Sequence, residues 1–316
     1  MESPDSAERS HLDLPLKPVQ PSDEDCCGNG CVPCVFDIYD EEVKIWEREC
    51  KRIRRKVKQN SGDALSQGPP LSTSEYRQFQ ILSVTEDTAD THLYRLALPE
   101  DVSLGITTGQ HMLVRGYIDG EPVTRQYTPV SDVNTEGYFE LLIKLYPQGK
   151  LSKLVRTWKV GRLIDIRGPL GNFCYKANQH SQVYMLAAGT GIAPMAQVIQ
   201  TVLSNPDDET ILRLVYACRT YRDIHLKQRL NEWAGYWNFS VLYALSKEDC
   251  KTRSTVYRYG DAIHFGRITA SLLSTEIAGH SQRSKKFLIC GSKPFEQDMV
   301  EMLNHAVSQN LEYFRF

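Results

Sequence analysis

The sequence predicts a β + α/β fold, in which a small antiparallel barrel precedes a doubly wound parallel sheet. Between residues 76 and 176, short apolar runs alternate with a period of two and are separated by turn signals, as in small all-β domains. From residue 182 onward, buried strands alternate with helical segments, which is typical of a parallel sheet covered on both faces. A chain of 316 residues is long enough for two such domains.

The elements follow in order along the chain. Alternating apolar residues predict barrel strands at 79–81, 94–98 and 139–145, with a short helix at 151–157. Apolar runs then predict strands of the parallel sheet at 183–188, 211–218, 239–245 and 287–290. Helices are predicted after Gly191, where Ala196, Ile199 and Val202 share one face, and at 226–233.

Composition shifts divide the chain into five segments. We predict a disordered tail at 1–20, a cysteine-rich segment at 21–58 with a helix in its second half, and a linker at 59–74. The barrel then occupies 75–177 and the α/β domain 178–316.

The charge and hydropathy of the chain exclude several classes of function. A formal net charge of −2 gives no basic surface for nucleic acid. No run of 18 or more apolar residues exists, and the polar, acidic start resembles no secretory signal. We therefore expect a soluble, intracellular monomer, cytoplasmic or held at a membrane through a partner.

Five of the nine cysteines crowd the first fifty residues. Cys27, Cys31 and Cys34 have the spacing of a metal knuckle, and Cys26 or Cys50 is available as a fourth thiolate for zinc or an iron–sulfur cluster. A second Cys-x-x-Cys pair is missing, so a reduced docking or anchoring segment is the alternative.

The run RQYTPVS in the barrel combines groups suited to a flavin nucleotide. Arg125 supplies a planar fork for a diphosphate oxygen, and Tyr127 offers a flat face and a hydroxyl. Thr128 and Ser131 can hydrogen-bond the edge of a flavin ring, where protein contacts tune its electronics. Taken alone, the run is equally consistent with a strand that turns at Pro129.

A second group of phosphate-binding types follows. Alternation places Lys144 and Tyr146 on one face of a strand and Ile143 on the other. Four residues open the short helix, where free backbone N–H groups and the positive end of the dipole can receive a phosphate. These residues are Gly149, Lys150, Leu151 and Ser152.

The run GTGIAP follows a buried strand and opens a helix. Gly189 and Gly191, on either side of Thr190, allow a tight turn and a close approach of the backbone to a pyrophosphate. Pro194 replaces the third glycine of the Rossmann pattern and is acceptable in a first helical turn. This context predicts a nucleotide-binding loop.

Taken together, these motifs resemble the NADH–cytochrome b5 reductase family of the ferredoxin–NADP reductase superfamily, over residues 76–316. The resemblance implies a six-stranded Greek-key barrel that binds FAD, followed by a domain that binds NADH. It implies that Arg125 holds the pyrophosphate, that Tyr127 lies along the ribityl chain and ring, and that Thr128 lies near the flavin N5. It also implies that Gly149 to Ser152 hold phosphates.

Further roles follow from the same resemblance. His111, in a Gly-Gln-His run, would form a proton path with Thr128, while Thr190 and Gly191 would lie between the flavin and NADH. Cys290 and Gly291 would border the nicotinamide, and Phe316 would close over the pocket. Ser292 and Lys293 depart from the family's proline run.

The choice between NADH and NADPH depends on residues after the second strand of the parallel sheet. Asp223 can accept hydrogen bonds from a ribose hydroxyl and would repel a 2′-phosphate, which predicts NADH. Arg219 and Arg222 stand nearby and would favour NADPH instead.

The resemblance predicts a reductase that passes electrons from NADH through FAD to a one-electron haem acceptor such as cytochrome b5. Lys144 would present positive charge to such an acidic partner. A flavin or quinone reductase, and a catalytically weak adaptor recruited through the cysteine-rich segment, are the alternatives. That segment resembles a short oxidoreductase-like domain, a likeness that implies no mechanism.

Overall fold

The structure is a computed structural model that describes residues 15–22, 34–58, 69–248, 257–278, 284–307 and 311–316. Cys27 and Cys31 lie outside these ranges, so the metal prediction for them stays open. Within the described ranges, no cluster of three or more His, Cys, Asp or Glu side chains could hold a metal ion. Among the helices that the structure describes, none is both long and apolar enough to cross a membrane.

Six antiparallel strands form the first domain, and helix α1 (Val35–Lys58) precedes them. The strands are β1 (Arg77–Thr88), β2 (Thr91–Ala97), β3 (His111–Ile118), β4 (Glu121–Tyr127), β5 (Tyr138–Lys144) and β6 (Leu163–Leu170), with helix α2 (Lys150–Val155) between the last two. Their order is β4-β3-β6-β1-β2-β5. An isolated bridge between Pro129, two residues after β4, and Leu141 of β5 brings the two edges of the sheet together, as in the predicted Greek-key barrel.

The barrel is filled by the inward-facing residues of its alternating strands. Phe79, Ile81 and Leu141 are almost fully buried, and the Phe79 and Phe139 rings meet edge to face. Leu71 is also buried in this core, with 2% of its surface exposed. The last residues of the segment predicted as a linker therefore belong to the barrel.

The second domain is a parallel sheet covered by helices on both faces. Its elements are β7 (Gln182–Ala188), α3 (Ile192–Ser204), β8 (Ile211–Cys218), α4 (Lys227–Trp233), β9 (Phe239–Leu245), β10 (Ala262–Phe265), α5 (Ala270–Ala278), β11 (Lys285–Cys290), α6 (Lys293–Ala306) and β12 (Tyr313–Arg315). The strand order is β10-β9-β8-β7-β11-β12. The order reverses at β7, so a crevice for a ligand opens at the carboxyl ends of β7 and β11.

Helix α1 packs against the barrel through a buried ionic network. Glu42 accepts hydrogen bonds from the Tyr76 hydroxyl at 2.6 Å and from the guanidinium of fully buried Arg167 at 2.9 Å. Ile45 is fully buried against Tyr76 and Leu113. Burial, followed by the charge of Glu42, raises the pKa of Tyr76, which therefore stays a hydrogen-bond donor. The helix is thus an integral part of the folded barrel.

Part of the segment predicted as a disordered tail also contacts this helix. The carbonyl oxygen of Pro15 accepts a hydrogen bond from the Trp46 indole at 2.6 Å, and the Lys17 ammonium lies 5.9 Å from the ring centroid. Pro15 and Lys17 are therefore placed against α1.

Charged and polar contacts join the two domains. His225 Nδ1 lies 3.0 Å from the Asp87 carboxylate, and the Leu226 amide donates to the same carboxylate at 2.9 Å. The Arg229 guanidinium donates to the Val130 carbonyl at 2.6 Å and to the Glu140 carboxylate. These contacts fix the barrel against the carboxyl edge of the sheet.

Candidate functional site

A cavity of about 910 Å³ lies between the barrel and the carboxyl edge of the parallel sheet. From the barrel it is lined by His111, Gln126, Tyr127, Thr128, Leu142, Lys144 and Tyr146. From the sheet it is lined by the turn after β7, the segment after β8, the turn after β11 and Phe316. The two motifs that the sequence places in different domains therefore face one space.

His111 lines this cavity and carries an unpartnered polar atom. Its Nε2 is buried and, within the described part of the chain, has no hydrogen-bond partner. Burial lowers the pKa of His111, so its imidazole is neutral near pH 7. A buried polar atom of this kind requires a partner, which a bound ligand would supply.

Tyr127 is the last residue of β4, Thr128 follows it, and both line the same wall. Burial raises the pKa of Tyr127 to about 12, so its hydroxyl remains a hydrogen-bond donor. The barrel wall thus presents a neutral imidazole, a phenol and an alcohol, groups that can bond the heteroatoms of a flat aromatic ligand without adding charge.

Lys144 and Arg219, from different domains, meet at one carboxylate. The Lys144 ammonium lies 3.0 Å and the Arg219 guanidinium 3.3 Å from Asp90 Oδ2. Partial burial alone would raise the pKa of Asp90, but the hydrogen bonds from Lys144 and Thr91 outweigh it and lower the pKa. The charge of Lys144 is therefore shared with Asp90 at the edge of the cavity.

The turns after β7 and β11 touch where the sheet order reverses. A Cβ atom on Gly191 would lie 2.2 Å from the Cys290 carbonyl oxygen, so only glycine permits this approach. The hydroxyl of Tyr216, on β8, donates to the Gly189 carbonyl at 2.8 Å and so holds the turn in place. The two turns form one continuous surface at the switch point, which is where ligands bind in open parallel sheets of this kind.

Cys290 lies at the end of β11, on the wall of the cavity. Burial, followed by the charge of Glu296, raises the pKa of the Cys290 thiol to about 12. The side chain is therefore a protonated thiol near pH 7, suited to packing against an uncharged ring rather than to nucleophilic attack.

Asp223 faces the cavity from the short turn after β8. One carboxylate oxygen accepts hydrogen bonds from the Thr220 amide at 3.0 Å and the Thr220 hydroxyl at 2.8 Å. The other lies 3.5 Å from Arg219. These contacts orient the carboxylate at the position where the sequence predicts a ribose contact.

Seven of the predicted cofactor residues do not line the cavity. Ile143 and Leu151 pack in the barrel core, which leaves only their backbone groups available to a ligand. The Ser131 and Ser152 hydroxyls accept hydrogen bonds from the Glu140 and Tyr146 amides. The remaining three, outside the cavity wall, are Arg125, Gly149 and Lys150.

The structure adds lining residues that the sequence did not indicate, and His225 is one of them. His225 is buried, faces the cavity and bonds Asp87 of the barrel. Its partner lies 138 positions away, so no local pattern could reveal the pair.

Phe316, the last residue of the sequence, also lines the cavity. Its ring lies 5.0 Å from the centroids of both Phe173 and Phe314, and its amide donates to the Ile289 carbonyl at 3.1 Å. This aromatic cluster holds Phe316 at the cavity wall.

A Greek-key barrel that shares one cavity with a glycine turn at a switch point fits the class of oxidoreductases that bind a flavin and a nicotinamide nucleotide. The domain comparisons agree. Residues 78–175 match the oxidoreductase FAD-binding domain, residues 185–301 match the oxidoreductase NAD-binding domain, and residues 12–55 match the N-terminal domain of oxidoreductase-like proteins.

Full-length relatives and solved structures narrow the class to a family. A Mus musculus protein called NADH-cytochrome b5 reductase-like is 38% identical over 100% of both chains, and the Homo sapiens protein of that name is 37% identical over 96% and 95%. The cytochrome b5 reductase domain of Ulva prolifera nitrate reductase is 26% identical, with a TM-score of 0.66, over 79% of this chain and 100% of that one. The chain belongs to the NADH–cytochrome b5 reductase family and is an FAD-dependent NADH oxidoreductase.

Proposed function

We propose that this enzyme passes electrons from NADH, through FAD, to the haem of cytochrome b5. The observation that carries the proposal is the shared cavity, in which Thr128 and His111 of the barrel face Gly191 and Cys290 of the sheet. The names of the relatives support the acceptor. FAD, when bound, supplies the chemistry: it takes up a hydride and releases electrons one at a time.

On the barrel side, the proposed residues bind and orient the flavin. Tyr127 packs along it and donates its hydroxyl, and Thr128 bonds the edge of the ring. Arg125 is exposed, and its guanidinium donates to the neighbouring Thr124 carbonyl at 2.7 Å. Arg125 would hold the pyrophosphate from outside the cavity wall. Gly149 and Lys150 offer backbone amides and one charge to the same group.

His111 holds or moves a proton at its Nε2, because that atom is buried and unpartnered and because His111 and Thr128 line the same cavity. Because the imidazole of His111 is neutral, its Nε2 can donate or accept a hydrogen bond, depending on which imidazole nitrogen carries the proton.

On the sheet side, the proposed residues position NADH. Gly189, Thr190 and Gly191 cradle the pyrophosphate, and the uncharged thiol of Cys290 packs beside the nicotinamide. Asp223 accepts hydrogen bonds from the adenosine ribose and repels a 2′-phosphate. Phe316 covers the cavity and excludes water.

The decisive test is a visible absorption spectrum of the purified full chain, before and after anaerobic addition of NADH. We expect flavin bands that bleach with NADH and far less with NADPH. Oxidised cytochrome b5, added next, should be reduced faster than a quinone or free flavin. Protein that stays colourless after reconstitution with FAD would refute the proposal, and preferential reduction of the quinone would replace its acceptor.

A substitution tests the pyrophosphate role of Arg125. We expect Arg125→Ala to weaken FAD binding by at least tenfold, roughly the loss of one charge-assisted hydrogen bond, and so to lower the flavin content after gel filtration. Arg125→Lys should restore part of the affinity, because it keeps the charge but not the fork. Full retention of flavin by Arg125→Ala would remove this residue from the site.

A further inference from the structure

A basic surface with exposed aliphatic side chains lies on the barrel between α2 and the start of β6. We define it by Lys153, Arg156, Lys159, Val160, Arg162 and Leu163, together with Leu82 of β1. The segment 153–163 carries four cations and no acid. It belongs to none of the motifs that the proposed function uses.

The four cations are not engaged in structural ion pairs. All of them are exposed, and none makes an ion pair with any residue that the structure describes. Other charges of the barrel are committed: Arg95 and Arg115, for example, pair with Glu140 and Asp165. The charge of this surface is therefore available to an external anionic partner.

The aliphatic residues of this surface are unusually exposed for their type. The exposed fractions are 64% for Val160, 53% for Leu163 and 43% for Leu82. Backbone hydrogen bonds hold them close together, since the Ile81 amide donates to the Arg162 carbonyl at 2.9 Å and the Gly161 amide to the Ile81 carbonyl at 2.8 Å. Aliphatic groups surrounded by cations match the chemistry of an anionic bilayer surface.

The position of this surface favours a membrane over an electron acceptor as its binding partner. Leu163 and Leu170 are the first and last residues of β6, and Leu170 pairs with His111 at the cavity. Eight residues of extended chain span roughly 23–26 Å. The aliphatic part of this surface, at Val160 and Leu163, therefore lies at the end of β6 away from the cavity, where an acidic electron acceptor would be badly placed.

We propose that this surface binds anionic lipid bilayers directly, with Val160 and Leu163 entering the interface and the four cations contacting headgroups. The cavity then remains open to NADH and to the acceptor. Attachment of this kind needs no partner protein.

The test uses the full chain loaded with FAD and phosphatidylcholine vesicles with or without phosphatidylserine. We expect co-sedimentation only with the anionic vesicles, and weaker binding as salt is raised. The double variant Lys159→Glu/Arg162→Glu should lower the partition coefficient by at least about thirtyfold, since each cation near the surface contributes about fivefold. The variant Val160→Ser/Leu163→Ser should lower it by about tenfold.

The matched control is Lys44→Glu/Arg48→Glu, which makes the same change of charge on the exposed side of α1. It should bind vesicles much more tightly than Lys159→Glu/Arg162→Glu. All variants should reduce ferricyanide with NADH at the parent rate, which shows that they are folded. Absent binding of the parent chain, or equal losses in both charge variants, would overturn the proposal. So would a Lys159→Glu/Arg162→Glu variant that keeps vesicle binding but reduces cytochrome b5 poorly.

Discussion

Replacing Glu42 by alanine is expected to lower the free energy of unfolding by about 3–5 kcal/mol. Arg167 is fully buried, and Glu42 is its close carboxylate partner at 2.9 Å, whereas Glu41 lies at 3.8 Å and is half exposed. Without Glu42, the buried Arg167 charge loses its close carboxylate and keeps the Thr73 carbonyl as a hydrogen-bond acceptor, while the Tyr76 hydroxyl loses its acceptor. Thermal unfolding followed by circular dichroism, at fixed FAD concentration, measures the effect.

Glu47→Ala is the matched control, because Glu47 is exposed on the same helix. Its stability should stay within about 0.5 kcal/mol of the parent. The double variant Glu42→Leu/Arg167→Met should recover much of the loss, since replacing both partners of a buried pair removes the uncompensated charge. If Glu42→Ala were as stable as Glu47→Ala, α1 would contribute nothing to the barrel through this network.

Gly191→Ala is expected to lower kcat/KM for NADH by at least a hundredfold while FAD stays bound. The added methyl would lie 2.2 Å from the Cys290 carbonyl oxygen and 2.6 Å from its carbon, so the turns after β7 and β11 must separate. A displacement of about 1 Å at a site of hydride transfer costs on the order of a hundredfold in rate. Steady-state reduction of ferricyanide by NADH, beside the flavin spectrum, separates the two effects.

Gly235→Ala is the control, because the atom nearest to its added methyl lies 3.2 Å away and the residue is remote from the cavity wall. It should retain the parent rate. An unchanged rate in Gly191→Ala would show that the contact between the two turns does not matter for NADH.

The order of the two domains was predictable because burial imposes a simple pattern on each kind of strand. In the barrel, alternate residues such as Phe79 and Ile81 face one core, whereas β7 is buried on both faces and reads as an unbroken apolar run. Two of the elements that the sequence did not predict lack such patterns. Strand β4 has no buried residue, and β10 is an edge strand of four residues.

The candidate site was predictable only where a local run of residues carries the chemistry. RQYTPVS and GTGIAP are each a short continuous stretch of the sequence, and the structure brings the lining residues of both to one cavity. The pairs His225–Asp87 and Arg167–Glu42 join residues 138 and 125 positions apart, which no single sequence displays. The helix predicted at 226 begins at Lys227, because Leu226 adopts a left-handed conformation with φ of 54°.

The contacts across the domain boundary also constrain how this chain can diverge. Asp87 and Glu140 belong to the barrel, whereas their partners His225 and Arg229 belong to the α/β domain. Substitution of one member of a pair leaves the polar group of the other without its hydrogen-bond partner. We therefore expect substitutions at these positions in one domain to be accompanied by substitutions at their partner positions in the other domain. A chimera that takes one domain from a distant relative should assemble poorly unless these four positions are transferred together.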